Sequence, residues 1–486
     1  MAADYDLVIL GGTLEGRCAA LSAANYGARV ALVEPPSMFL RRQQAKYLLK
    51  GLQQLGEGKY RQAVGEWFEL SGESRSRSNG AANFDWPGLL RWSVIAAETQ
   101  QPEVSVDALS VAGVDVVFAQ PEHLARQLVV IVAGRQLSTR SVLAAFGSVP
   151  LPVFGAYASA PALTGIEPLL NVESLPKSID VWGESFEAVE WSQALNAVGV
   201  SVSLVADRFL PDEDSEVRGW VRTQLRATGI QLMCSAEMVA NSDVQLKSSV
   251  GGASLLHPSL MLGPTKPALT LPAFAYSANR RCANAEAIDQ TCLSTNQYLQ
   301  TAHRRIFACG SVRHKGFVED SVAQSEAQTA VWNALFVPNR KVLHHVVPHS
   351  HHRFARVGLT PRFAKEGYTP TGDYSTMTAS TANSADLSQP LPLPEYCKLI
   401  CKKGRLQSVH LLGDGAAQLA ELIPGMIGKP IHQLLNSSTQ TLPVTKGLAR
   451  LIHIAASKSH QTQWQPGHWR RDWAENWFNW RRSRKN

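Results

Sequence analysis

Residues 5–34 constrain the chain more than any other stretch, because strand, glycine turn, helix and second strand follow one another without a break. An apolar run at 7–10 meets Gly11-Gly12-Thr13-Leu14-Glu15-Gly16. A helix of small residues follows, with Cys18, Ala19, Ala20, Ala23 and Ala24, and Gly27 ends it. Residues 29–34 then read as a buried strand that closes on the carboxylate of Glu34. This is the βαβ unit of dinucleotide-binding folds. Glycine permits the tight turn, the helix N-terminus faces a pyrophosphate, and an acidic residue about 20 positions on accepts ribose hydroxyls. Gly11, Gly12, Thr13, Gly16 and Glu34 are the first candidate site residues. Thr13 departs from the G-x-G-x-x-G fingerprint, which wants glycine there for close backbone approach.

A second unit of the same kind starts near Pro176. Residues 178–183 lead through Glu184-Ser185-Phe186-Glu187-Ala188 into a helix expected at 189–198, then Gly199 and a strand at 201–206. Only Gly183 and the small Ala188 keep the glycine pattern, and Ser185 stands at the middle-glycine position. Glu184 and Glu187 put carboxylates at the helix N-terminus, where the dipole favours them but a bound pyrophosphate is repelled. The fold is kept there while its ligand is left open.

Further on, the sequence predicts a strand at 305–311 and a helix at 321–335. Residues 370–390, rich in Ser, Thr, Ala and Asn, are expected to form a surface loop. The stretch 396–456 reads as a small α+β domain. A length of 486 residues suits about three domains, and 45% hydrophobic with 18% charged residues is the composition of a soluble globular chain. No window offers the roughly 18 unbroken apolar residues of a spanning helix. The start runs into a strand without a signal-sequence pattern, and seven scattered cysteines make no disulfide framework. A cytoplasmic location is the expectation. The net charge of +7 is uneven: residues 464–486 hold six Lys/Arg and two Asp/Glu, leaving only +3 elsewhere. Nucleic-acid proteins more often spread basic charge over a folded face, so no nucleic-acid partner is expected.

Five further strings accompany the two units: Val142-Leu143-Ala144-Ala145-Phe146-Gly147-Ser148-Val149-Pro150, Leu175-Pro176-Lys177-Ser178, Glu190 within the second helix, Thr301 through Val312, and Ala355-Arg356-Val357-Gly358-Leu359-Thr360. Over residues 5 to about 460 this order resembles the pyridine nucleotide–disulfide oxidoreductases, such as dihydrolipoamide dehydrogenase and mercuric reductase. The strings are similar, in turn, to that family's I-A-T-G-S-x-P, its lead into the second strand unit, its helical Glu, its T-x-x-x-x-I-Y-A-x-G-D-V and its A-x-V-G-L-T. The resemblance implies an α/β fold of two Rossmann-like domains, FAD and NAD(P) type, plus a C-terminal α+β dimerisation-like domain. The FAD domain would take 1–150 and 265–336, the NAD(P)-like domain 151–264, the dimerisation-like domain 337–460 and a separate tail 461–486. It implies FAD as cofactor, a homodimer, and site residues Gly147, Gly310 and Ser311 beside the first five. Gly183, Ala188 and Glu190 are the corresponding positions for NAD(P)H, which stays open as donor.

The departures bear on activity. Family members carry a C-x-x-x-x-C pair on the helix after the first unit, one sulfur against the flavin; here 35–45 contain no cysteine. The family's His-Pro-Thr…Glu should fall near 439–448, where neither His nor Glu occurs. Thiol–disulfide exchange needs a thiolate beside a partner sulfur, so disulfide reduction is not expected. Ser311 stands where the family has Asp, and a hydroxyl can still hydrogen-bond a bound group. Two functions follow. One is an FAD-dependent oxidoreductase passing electrons to a non-disulfide acceptor such as a quinone or small oxidant. The other is a catalytically silent scaffold or nucleotide sensor docked through its tail. No catalytic residue is assigned.

Cys397 and Cys401 read as half-buried thiols on one face of a strand, and Cys309 as a packing residue. His344, His345, His349, His351 and His352 crowd an extended link, whose alternate residues point apart, so no metal site is assigned. In the tail, Trp464, Trp469, Trp473, Trp477 and Trp480 make up five of 12 tryptophans, the last four stepping by four, four and three. On a helix that spacing makes one aromatic stripe with Arg470, Arg471, Arg481, Arg482 and Arg484 on or beside its polar face. A membrane surface, the protein's own surface and another protein are the candidate partners.

Overall fold

A computed structural model describes most of residues 3–69, 85–150, 163–234 and 292–341, with short strands at 245–247, 253–255, 260–261 and 265–267 and part of 271–275. Beyond 348 it describes mainly 349–351, 354–358, 374–380, 395–433, 451–457 and parts of 471–480. The chain divides into two compact units, Met1–Pro211 with Arg218–Leu343, and Asp212–Val217 with His344–Asn486.

The first unit opens with β1 (Tyr5–Leu10), α1 (Leu14–Asn25) and β2 (Val30–Glu34), then α2 (Met38–Glu69) and α3 (Trp86–Thr99). The strands β3 (Asp115–Phe118), β4 (Pro121–Leu124), β5 (Val129–Val132) and β6 (Arg135–Ala144) follow. A crossover pair, β7 (Ser148–Pro150) with a strand at Thr265–Pro267, brackets a second set. That set comprises β8 (Leu163–Thr164), β9 (Ser178–Trp182), α4 (Phe186–Ala197), β10 (Ser201–Ala206), β11 (Gln231–Cys234) and β12 (Leu260–Met261). The unit closes with a strand at Ile306–Ala308 and the helix α5 (Asp320–Leu335).

Among the described residues the first sheet has the order β3-β2-β1-β6-β5-β4, and the strand at 306–308 also pairs with β6. β3, β2, β1, β6 and 306–308 are parallel, whereas β4 and β5 are added antiparallel. Parallel strands are covered on both faces, which is why β1 and β2 read as unbroken apolar runs. Leu7, Ile9 and Leu32 face Ala19, Ala20 and Ala23 of α1 and Ala327, Ala330 and Val331 of α5. Val8, Leu10 and Val33 face Val130, Val132 and Ile306 on the other side. The small residues of α1 let two helices pack closely over one sheet face. The second sheet runs β11-β10-β9-β12-β8, with parallel pairings throughout. Both sheets are the Rossmann-like architecture expected. α4 begins three residues earlier than the sequence pattern indicates, because Ser185 is the cap.

The second unit is an antiparallel sheet with the strands His349–His351, Phe354–Gly358, Arg405–Leu412, Tyr396–Lys402 and Tyr374–Ser380 side by side in that order. Lys403 and Gly404, both at positive φ, make the two-residue turn between its central pair. Two expectations are corrected here. Residues 374–380, taken as loop, form the edge strand. Edge strands tolerate polar sequence because one side is unpaired, and Tyr and Thr favour the extended backbone. Cys397 and Cys401 are fully buried in the sheet's core with Leu399 and Val409, rather than half-buried. Arg356 pairs with Glu213 within this unit, both side chains buried. His349 and His351 lie on a strand, while His344, His345 and His352 are outside the described residues, as is 439–448. Among the described residues no group of His, Cys, Asp and Glu is arranged to hold a metal.

Candidate functional site

Strand register assembles the site. Leu10 lies opposite Val33 on one side and Ala144 on the other, and Ala144 lies opposite Ala308. The residues at or just past these strand ends (Gly11, Glu34, Gly147 and Gly310) therefore gather at one carboxyl edge, although they are spread from position 11 to position 310. Backbone bonds tie the edge together: Gly11 N–H to Val33 at 2.7 Å, Ala145 N–H to Leu10 at 2.8 Å and Cys309 N–H to Ala144 at 3.1 Å. In open parallel sheets this crevice is where ligands bind.

The glycines there sit against close neighbours, and Gly11, Gly147 and Gly310 also hold a positive φ. Gly11 has φ 117°, and a Cβ on it would land on the backbone of Ala145 and Phe146. A Cβ on Gly12 would run into the Glu34 side chain, on Gly147 into Arg42, and on Gly310 into Glu15. Gly16 sits over the Gly11 carbonyl. Thr13 serves as N-cap of α1. Its hydroxyl donates to the Ala145 carbonyl at 2.7 Å and accepts from Gly16 N–H at 3.3 Å. The missing middle glycine thus becomes a strut between the turn and β6.

Glu34 is 2% exposed and is held by Arg17, whose Nη2 and Nε donate to its two oxygens at 2.6 and 3.0 Å. Arg17 Nη1 also donates to the Val104 carbonyl at 3.2 Å, and its guanidinium lies 3.9 Å from the Phe39 ring centre. A carboxylate bound in this fork still has lone pairs for ribose hydroxyls.

Four charged residues of this crevice are not evident from the sequence. Glu15, in the glycine turn itself, is 6% exposed and rests against Gly310. Burial raises its pKa, while the charges of Lys46 and Arg42 oppose that rise. Glu15 opposes a phosphate for the same reason as Glu184 and Glu187, and its place inside the glycine turn is the signal that could have found it. Arg42 and Lys46 stand one turn apart on α2. Arg42 Nη2 donates to the Ser148 carbonyl at 2.8 Å, and Lys46 pairs with Asp320 at the start of α5. Glu326 of α5 accepts from Gly310 N–H at 2.9 Å, pairs with Arg313, and lies 3.0 Å from His314 Nε2. Burial would raise the Glu326 pKa, but the bond from His314, the Arg313 charge and the Gly310 N–H together hold it down to about 2. Ser311 follows Gly310 in a short 3-10 turn, its carbonyl accepting from His314 N–H at 3.2 Å.

In the second parallel sheet, Gly183 N–H donates to the Val205 carbonyl at 3.0 Å, and on the adjoining helix α4 Ala188 is fully buried and Glu190 half-buried. Ser185 caps α4 by backbone only. Glu184 accepts from Arg208 N–H at 3.0 Å. Burial pushes the Glu187 carboxyl up to about 7, against the pull of Lys46. A raised acid keeps its proton in the fold, so its contribution is complete below the ordinary carboxylate range and is lost as pH rises through about 7. Urea unfolding at about pH 5 and about pH 8 should show wild type losing stability relative to Glu187→Gln over that interval. Equal slopes would mean that Glu187 ionises normally.

The crevice fits a dinucleotide: glycines packed against side chains, a helix N-terminus, and a buried acid at the end of β2. Gly11, Gly12, Gly16, Glu34, Gly147, Gly310 and Ser311 would hold it, with Glu15 as the residue that opposes phosphate. Cys18 on α1 and Cys309, next to Gly310, are poor thiolates. Burial pushes Cys18 up to about 11, helped by Glu15, and burial also raises Cys309 well above the ordinary thiol value.

Comparison with known proteins places this fold in a family. The sequence pattern of the family described as pyridine nucleotide-disulphide oxidoreductase matches residues 5–334. A dihydrolipoyl dehydrogenase of Acholeplasma laidlawii is 28% identical over 364 residues, covering 70% of this chain and 99% of that one. A mercuric reductase of Bacillus cereus is 24% identical over 400 residues, 75% of this chain and 58% of that one. The solved HOCl-induced flavoprotein disulfide reductase RclA from Escherichia coli superposes with a TM-score of 0.68 at 18% identity, over 92% of this chain and 99% of its own, which speaks to the fold.

Proposed function

This chain belongs to the pyridine nucleotide-disulphide oxidoreductase family, and from that premise we propose an FAD-dependent oxidoreductase whose acceptor is not a disulfide. Bound FAD would supply two-electron redox chemistry. The chain's own groups hold and orient it: the α1 N-terminus and glycine turn toward the pyrophosphate, Glu34 toward ribose, Gly147 and Gly310 in close backbone approach. NAD(P)H, at Gly183, Ala188 and Glu190, is one candidate donor, and a quinone or small oxidant is the acceptor class. The four-part domain division and a homodimer through the C-terminal domain belong to the same reading.

The observation that carries it is the face that α2 turns to the crevice. Arg42 and Lys46 occupy it, and the thiols of the partly buried Cys18 and the buried Cys309 both have raised pKa. Exchange with a disulfide needs a thiolate, and this site supplies cations instead.

The test is the visible spectrum of the purified protein before and after anaerobic NADH or NADPH. Flavin bands that bleach, then recover on adding a quinone equally well in wild type and Cys18→Ser/Cys309→Ala, are expected. Recovery that requires either cysteine would overturn the non-disulfide acceptor.

One observation favours a second reading, a silent scaffold or nucleotide sensor. The crevice groups are already engaged from within, Arg17 on both oxygens of Glu34 and Glu326 on the Gly310 N–H. A featureless spectrum unchanged by added FAD would select it.

A further inference from the structure

The C-terminal tail plays no part in the redox reading, and its chemistry can be considered independently of the crevice. Residues 471–473, 475–477 and 480 are helical. Trp473, Trp477 and Trp480 step by four and three, so they share one helix face. All three are exposed, at 60%, 43% and 45%. Their rings also lie on one another: Trp473 and Trp477 stack at 6.0 Å with 8° between planes, and Trp477 and Trp480 are 4.9 Å apart. The result is a continuous strip of indole on the outside of the helix, a surface seldom left to water. Trp469 lies outside the described residues.

Charge decides what covers the strip. At about 100° per residue, Asp472 and Glu475 turn away from the tryptophans, and Glu475 is engaged by Arg471 at 2.9 Å. In sequence, Arg470, Arg481, Arg482 and Arg484 border the described tryptophans on both sides. The segment 464–486 holds six Lys/Arg against two Asp/Glu. An apolar patch of a folded protein would match the indoles but give the flanking arginines no counter-charge. A layer with an apolar interior, a zone that favours indole, and negative headgroups matches both. No described helix is long and apolar enough to cross a membrane, so the geometry is that of a helix lying in the interface plane.

We propose that this helix docks on the surface of a membrane carrying anionic lipid, Trp473, Trp477 and Trp480 entering the headgroup–acyl boundary and the neighbouring arginines meeting lipid phosphates.

The test is co-sedimentation of the full-length protein with phosphatidylglycerol–phosphatidylcholine vesicles and with pure phosphatidylcholine vesicles. Binding to the anionic vesicles should be at least about tenfold tighter and should weaken between about 0.1 and 0.5 M salt. Tryptophan emission should shift to the blue on binding. Trp473→Ala/Trp477→Ala/Trp480→Ala should lose at least about tenfold in binding with unchanged circular dichroism, and Arg481→Glu/Arg482→Glu should lose the preference for phosphatidylglycerol. Equal binding to both vesicles, absence of binding, or a triple variant that binds like wild type would overturn the proposal. A triple variant whose mass by light scattering falls, with no vesicle binding in either protein, would assign the strip to contact between copies of the chain.

Discussion

Gly11→Ala is expected to cost roughly 3–5 kcal/mol of stability, combining positive-φ strain with overpacking. The added methyl meets main chain on both Ala145 and Phe146, which cannot rotate aside, at a φ of 117° that L-residues rarely adopt. The strand end itself must move, and with it the bonds from Gly11 to Val33 and from Ala145 to Leu10. Gly27→Ala is the control. Its φ of 79° is also positive, but nothing lies within 4 Å of the new Cβ, so only the strain remains, about 1 kcal/mol. Urea-unfolding midpoints of the two variants separate strain from collision directly. Similar losses would mean that backbone conformation, and not the approach of β6, makes glycine necessary at position 11.

Arg17→Met is the second large effect, roughly 3–5 kcal/mol, because it leaves a buried carboxylate without its partner. Glu34 is 2% exposed and Arg17 supplies both of its charge-assisted bonds. Methionine keeps the aliphatic stem and removes the guanidinium, with its bonds to Glu34 and Val104 and its contact with Phe39. The double variant Arg17→Met/Glu34→Gln has no buried charge and should recover most of the loss. The cycle thus separates the desolvated charge from the lost packing. If the double variant is as unstable as Arg17→Met, the loss comes mainly from the packing of Arg17 against Phe39 and Val104.

Both predictions depend on residues whose types were readable and whose partners were not. The turn at Gly11 and the acid at Glu34 are local: a strand, a φ > 0 turn and a helix need only neighbouring residues. Arg17 sits one position past the turn and looked like any helix-surface arginine. Only the parallel pairing of β1 with β2 brings it onto Glu34. Arg42, Lys46 and Glu326 acquire their roles from elements dozens or hundreds of residues away, whereas Glu15 stands inside the glycine turn and only its burial against Gly310 depends on the fold. The edge strand at 374–380 went unread because its Ser and Thr content is that of a loop, and pairing with Tyr396–Lys402 is what makes it extended. The tail is the converse case. Its indole stripe follows from helical period alone, and the structure adds the exposure and the stacking.

Local chemistry, then, determined the two Rossmann-like units, the glycines that make the first turn possible and the absence of a cysteine pair on α2, because each depends on spacing within one or two elements. The tertiary structure alone decided how the crevice is furnished: the clamp of Arg17 on Glu34, the burial of Glu15 against Gly310, and two cations facing them. Those are matters of strand register and side-chain reach across the sheet edge, and sequence spacing carries no information about them.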